Sequence, residues 1–457
     1  MSSHMVSGFS TIRGILNNLA RGIRSTVTDE LAVEIGGNNI DAFGDVVMHN
    51  YTPVLQFDFV YGGGGTNGIY DSTNQQVGRT ASSGTGASVS AGSAASSLLS
   101  LVSGTSAGNG TTNPNTGYAF FQSVRILRYR PGQAMLVRFT SIYTTGVAGN
   151  YQIVGAGNTI DGYFFGYNET AFGILHRRNS SDADPNGGWT AKTSWNVDVC
   201  DGTNSSSNPS GFNLDPTKGN IYQIRYPYLG FGPIKFYVLD SRTSLWVLVH
   251  VIKYPNTYTA VQITNPGLQF FAATFNGSSG STGTTLKLGS VGAFLSGEQR
   301  FLGPQFGVNN TKSITTETNV VSVRNATTYN GVTNRGIIRI RSISISSDGG
   351  NGTATLKVYK GATLGGSPAY TPVSGSTVDN GASITSGLSI GSFDTAGTTV
   401  ANGVVIFNST LARATNFTMD TSSYELNILP GEIMTFSMAS SGSAASNSVA
   451  VNWQEDQ

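Results

Sequence analysis

The chain has 457 residues, 59 of them glycine, with 11% charged residues split between 26 Lys and Arg and 25 Asp and Glu. A net charge of +1 leaves no basic footprint for nucleic acid, and 38% apolar residues is too many for a disordered chain. The single cysteine, Cys200, excludes an internal disulfide framework; scattered His4, His49, His176 and His250 argue against a zinc cluster, and no run of ~18 apolar residues could span a membrane.

The opening MSSHMVSGFSTIRG has no apolar h-region, so no secretory signal is expected. Residues 10–25 read as the one helix. Ile12, Ile15, Leu16, Leu19 and Ile23 fall on one stripe at three- and four-residue spacing, with Ser10 or Thr11 as cap. That stripe must bury itself against a partner chain or against its own domain. From residue 41 onward the pattern is β. Residues 51–61 alternate through Val54, Gln56, Phe57, Asp58, Phe59 and Val60 and run into GGGGTNG, a flexible turn. Residues 76–117 are a Ser/Ala/Gly/Thr tract that reads as a linker or as thin β layers, and Ala87, Val89 and Ala91 alternate as a strand would. Strands are expected at 118–130, 134–143, 161–167, 170–177, 220–228, 234–240, 245–253 and 286–295, each bounded by turn residues. Residues 301–320 read as a linker. A second β unit follows, opening on Arg335–Ile345, where Ile338, Ile340, Ser342 and Ser344 fall on one face and Ile337, Arg339, Arg341, Ile343 and Ile345 on the other. Further strands are expected at 353–360, 403–408, 424–429, 432–438 and 448–453.

The expected fold class is therefore all-β, with β-sandwich or jelly-roll domains and one short N-terminal helix. The expected domains are an arm at 1–40, extended β and the small-residue tract at 41–117, a lectin-like sandwich at 118–300, a linker at 301–320 and a C-terminal jelly roll at 321–457.

Motifs for chemistry are sparse. No phosphate-cradling glycine loop, GxSxG elbow, HExxH or CxxC occurs. Asp182, Asp184, Asp198 and Asp201 cluster in sequence around Trp189 and Trp195. Carboxylates beside aromatic platforms suit sugar binding, with Trp189, Trp195, Asp182 and Asp184 as the contact set. Two carboxylates ~5–10 Å apart would suit glycoside cleavage. The same pattern also describes a turn-rich loop beside a core. The DADPNGG run has oxygen ligands for calcium but not the EF-hand spacing, so no metal and no cofactor is expected. Arg125, Arg128 and Arg130 alternate before Pro131-Gly132 and could pair carboxylates of another chain or strand. Together with the helix stripe they are the candidate oligomer contacts.

Several segments in fixed order resemble a known group. DAFGDVVMHNYTPVLQFDFVY (41–61), FFQSVRILRYRPGQAMLVRFT (120–140), DGYFFGYNETAFGILHRR (161–178), GGWTAKTSWNVD (187–198), LDPTKGNIYQIRYPYLGFGPIKFYVLD (214–240), VHVIKYPN (249–256), LPGEIMTFSMAS (429–440) and VAVNWQEDQ (449–457) are similar to virion structural proteins of tailed phages and large DNA viruses. The resemblance spans 41–457, with a weaker stretch at 355–425. It implies a component of a virus particle, without saying which. The first expectation is an oligomeric fibre, spike or other appendage. It would be homotrimeric, in contact with other virion proteins and host-surface glycans, with no nucleic acid or membrane partner and no enzymatic activity. Two alternatives stand beside it: a capsid-lattice or cement protein, and a virion-bound polysaccharide depolymerase using Asp182, Asp184, Asp198 or Asp201.

Overall fold

A computed structural model describes residues 23–25, 31–33, 51–59, 78–91, 97–108, 116–127, 129, 132–181, 188–296, 303–348, 352–373, 377–379, 383–386, 388–412, 414–422, 424 and 426–456. The chain divides into two units, at 1–299 and 300–457. Among the described residues there is no α-helix, only a one-turn 3-10 helix at Lys192–Ser194. Ile12, Ile15, Leu16 and Leu19 lie outside the described residues. The end of the expected helix is corrected: Ile23–Ser25 (β1) is a strand, paired antiparallel with Leu31–Val33 (β2), Ile23 opposite Val33.

The first unit is a sandwich of two antiparallel sheets. In chain order its strands are Tyr51–Asp58 (β3), Gly78–Ser83 (β4), Ser88–Ala91 (β5), Leu99–Val102 (β6), Tyr118–Ser123 (β7), Met135–Ile142 (β8), Asn150–Gly157 (β9), Gly162–Asn168 (β10), Ala171–Arg177 (β11), Gly188–Ala191 (β12), Asn220–Tyr226 (β13), Ile234–Leu239 (β14), Trp246–Ile252 (β15), Gln269–Asn276 (β16) and Thr285–Ser296 (β17). One sheet runs β12-β11-β10-β9-β16-β7-β4. The other runs β15-β14-β13-β8-β17-β6-β5, with β3 also beside β17. Neighbours far apart in sequence, such as β8 with β17 and β9 with β16, close the wrap.

Alternation explains the core. Met135, Val137 and Phe139 of β8, Tyr222, Ile224 and Tyr226 of β13, and Leu286, Leu288, Val291 and Ala293 of β17 point inward and meet Val154, Tyr163, Phe165 and Phe270 of the facing sheet. Each buried aromatic removes a large apolar area from water, at roughly 25 cal/mol per Å².

The domain expectation needs two corrections. The tract at 76–117 is not a separate piece. β4 edges the first sheet and β5–β6 the second, and Leu99 and Leu101 are fully buried in the shared core. Small residues are required there: a Cβ on Gly78 would collide with the Phe121 ring. The 301–320 segment is not a linker either. Gln305–Ile314 is a strand paired along its length with Ala445–Asp456, from Gln305 opposite Gln454 to Ile314 opposite Ala445. It reads as polar because alternate side chains are exposed at a sheet edge.

The second unit is also a β-sandwich with its own core. One sheet joins 305–314, 445–456, 337–347 and 416–420, and the other joins 371–372, 391–394, 318–325, 433–440, 354–360 and 404–411. Trp453, Phe436, Val321, Ile338 and Ile345 lie between them. The expected two-faced alternation of residues 335–345 is corrected here. Ile338 and Ile340 are buried, but so are Ile343 and Ile345, because the register slips between Ile340 and Ser342. A β-bulge inserts one residue, Arg341, and returns the following isoleucines to the core face.

Candidate functional site

The residues expected to form a site do not come together. Trp195 is a core residue, 4% exposed, edge-on to Phe165 and Phe172 at 6.1 and 6.2 Å, so it is no glycan platform. Trp189, on β12 opposite Leu175, is half-buried against an apolar cluster with Ile153, Phe164 and Phe271. Asp182 and Asp184 lie outside the described residues. Asp198 is buried, and its two oxygens accept the backbone N–H groups of Cys200 and Ser210 at 2.8 and 2.9 Å. Asp201 accepts the Thr203 hydroxyl and N–H and the Asn208 amide, and these bonds hold its carboxyl below the ordinary range. A glycosidase acid must keep its proton near neutral pH; Asp201 is shifted the opposite way, and both carboxylates serve as turn formers.

Arg125 is likewise an internal clamp: its Nη1 donates to the Val54 carbonyl at 2.8 Å, tying β3 to the end of β7. Arg128 and Arg130 lie outside the described residues. His176 Nε2 lies 2.5 Å from the Gln262 carbonyl, and Cys200 is buried with its thiol pushed up by burial. Among the described residues no group of three His, Cys, Asp or Glu could hold a metal.

The geometry points elsewhere, to the outer face of the second sheet. Residues that alternate with the core positions form a row across six strands: Leu248 of β15, Tyr237 of β14, Gln223 of β13, Arg138 of β8, Gly292 of β17 and Gln56 of β3. Arg138, Gly292 and Gln56 lie in an open groove of about 520 Å³, lined also by Asp58, Thr140, Ile221, Ser290 and Phe294. Arg138 is its centre. Its Nε donates to Gln223 Oε1 at 2.7 Å, and its guanidinium lies over the Trp246 ring, 5.0 Å from the centroid. Nη1 and Nη2 have no partner among the described residues. Gln223 is fully buried and its Nε2 has no partner among the described residues. Gly292 keeps the floor flat: a Cβ there would sit 3.0 Å from the Phe294 ring. Phe294 in turn meets Tyr51 edge-on at 6.3 Å.

Burial lowers the Arg138 pKa, with Arg225 adding to the effect and Tyr51 opposing it; burial and then Arg225 lower that of Lys235 as well. Arg138, Arg225, Lys235, Trp246 and Phe294 make this face basic and aromatic, with Gln56, Asp58 and Thr140 as hydrogen-bonding groups at the groove's edge. Sequence reading missed it because the strands were visible but their pairing was not. Nothing local sets Arg138 opposite Gln223.

No family model matches the chain, and no curated protein does. Solved structures resemble parts of it. A glycoside hydrolase family protein from Mycobacterium thermorestibile shares 11% identity over 45% of this chain and 79% of its own, with a TM-score of 0.29. The potassium-bound carbohydrate recognition domain of Emp46p shares 9% over 52% and 97%, with a TM-score of 0.27. A protein described with the endo-acting O-glycanases of human gut microbiota shares 12% over 54% and 100%, with a TM-score of 0.32. Scores of this size carry no argument about activity or ligand. The fold class rests on the stacked antiparallel sheets described above.

Proposed function

We propose that this chain is a structural component of a virus particle, in a surface or tail appendage, and that its first sandwich contacts host glycan through the Arg138 groove without cleaving it. The particle assignment is supported by the ordered run of segments from DAFG to NWQEDQ. The groove carries the contact assignment: an open floor with unpaired donors on Arg138, edged by Gln56, Asp58 and Thr140 and walled by Phe294. Sugars bind where hydroxyl partners and an aromatic wall meet on a shallow surface. The test is to incubate the full chain with immobilised host surface polysaccharide and assay both retention and released reducing ends. Retention without release is the expected result. Release of soluble sugar would replace this reading with a depolymerase, and absence of retention would remove the glycan contact.

A lattice or cement role is a second reading, favoured by exposed apolar side chains at one end of the sandwich. Ile160, Leu229 and Phe231 are 46%, 44% and 37% exposed on loops that Gln262 and its neighbours draw together. Such residues suit burial against a neighbouring subunit.

A further inference from the structure

The groove face carries three cations, Arg138, Arg225 and Lys235, with the Asp58 carboxylate at the β3 edge of the groove. Arg138, Arg225 and Lys235 project from three adjacent strands, with Arg225 in register with Lys235 on one side and with Leu136 on the other. Arg225 bonds the Tyr237 hydroxyl. Arg138 and Lys235 have no carboxylate partner among the described residues. Half-buried cations without a counter-ion are costly, and an anionic ligand relieves that cost.

We propose that the groove binds a carboxylated sugar, whose carboxylate accepts two parallel hydrogen bonds from Nη1 and Nη2 of Arg138. The inference rests on the glycan-contact reading above and names its chemical class. A guanidinium can meet a carboxylate along two edges. The edge that uses Nε is taken, because Nε donates to Gln223 at 2.7 Å. The Nη1–Nη2 edge remains, and the Trp246 ring beneath holds the guanidinium plane. The sugar ring then has room beside the arginine, because Gly292 puts no side chain between Arg138 and Gln56. Thr140 and Gln56 supply partners for its hydroxyls.

The experiment presents the full chain with a matched panel: oligosaccharides bearing uronic or sialic acids, the same molecules with the carboxyl reduced to an alcohol, and sulfated oligosaccharides. At least one carboxylated probe should bind on the order of tenfold or more tighter than its reduced counterpart. Arg138→Gln should remove that difference. Arg138→Lys, which keeps the charge but loses the planar fork, should lose most of it. Equal binding of acid and reduced forms would overturn the carboxylate and leave the glycan reading standing. Binding of sulfated probes alone would also overturn it. Absence of binding across the panel would remove both readings. Undiminished binding by Arg138→Gln would place the site elsewhere. Thermal unfolding checks that Arg138→Gln folds. Should it not, Gln56→Ala, at an exposed edge position, carries the test: it should weaken the same probe severalfold, and an unchanged affinity would overturn the site.

Discussion

His250, on β15, is buried, and its Nδ1 accepts the Asn196 N–H at 3.2 Å. Asn196 also exchanges side-chain bonds with the Val251 backbone at 2.8 and 2.9 Å, so this histidine helps to hold the 195–199 segment on the sheet. Burial pushes its pKa down from 6.5 to about 4. The unfolded chain therefore takes the proton first as pH falls. The stabilisation is complete above about pH 6.5 and is lost progressively down to about 4, up to about 3 kcal/mol in all. Denaturant midpoints of the first unit at pH 7 and 4.5 should differ more for the native chain than for His250→Gln; parallel pH dependences would refute the assignment. Trp195 makes a second test at this scale. As a core residue it should cost about 3–5 kcal/mol when replaced by Ala, with glycan binding of the folded protein unchanged. A glycan platform would show the reverse, lost binding at nearly full stability.

The strand at 337–347 shows what one inserted residue does to an element. Strict alternation would send Ile343 and Ile345 to the face opposite Ile338 and Ile340, yet all four are core residues. The bulge at Arg341 is fixed by its neighbour, since the Arg341 carbonyl accepts the Thr421 N–H at 2.9 Å. Ile343→Ala should therefore destabilise the second unit by about 2–5 kcal/mol. Ser344→Ala, whose hydroxyl bonds the exposed Thr418 hydroxyl, should change it by about 0.5 kcal/mol or less. Chemical denaturation of both variants decides the matter, and comparable losses would mean a straight strand. Elements with regular alternation were legible in advance. The expected strands at 134–143, 234–240 and 286–295 match β8, β14 and β17 to within one residue at each end. β9 is hidden in the sequence because Asn150 and Gln152 point into the core, where side-chain and backbone partners satisfy their amides. From sequence, polar residues at core positions break the pattern that marks a strand.

At the scale of the whole molecule, two sandwiches expose sheet edges that must be protected. The edges at β4 and β5 are built of Gly, Ser, Ala, Thr and Val with the single charge of Arg79, a composition that leaves them open to pairing. A closed trimer covers such edges by symmetry. Light scattering of the purified chain should give three times the 47.8 kDa protomer mass. A monomer at working concentration would favour the lattice or cement reading over the appendage.

Composition and alternation by themselves determined the class of this protein: few charges, no cysteine pairs, short β-branched and aromatic runs between turn residues, hence stacked antiparallel sheets. They determined little about the site. A strand's faces can be read from its own residues, because alternate side chains point oppositely. Its neighbours cannot, because hydrogen-bonded pairing joins segments such as β8 and β17, more than a hundred residues apart. Only that pairing set Arg138 beside Gln223 and Gly292, and only packing between the sheets drew Trp195 into the core while Trp246 stayed on the outer face to hold a guanidinium.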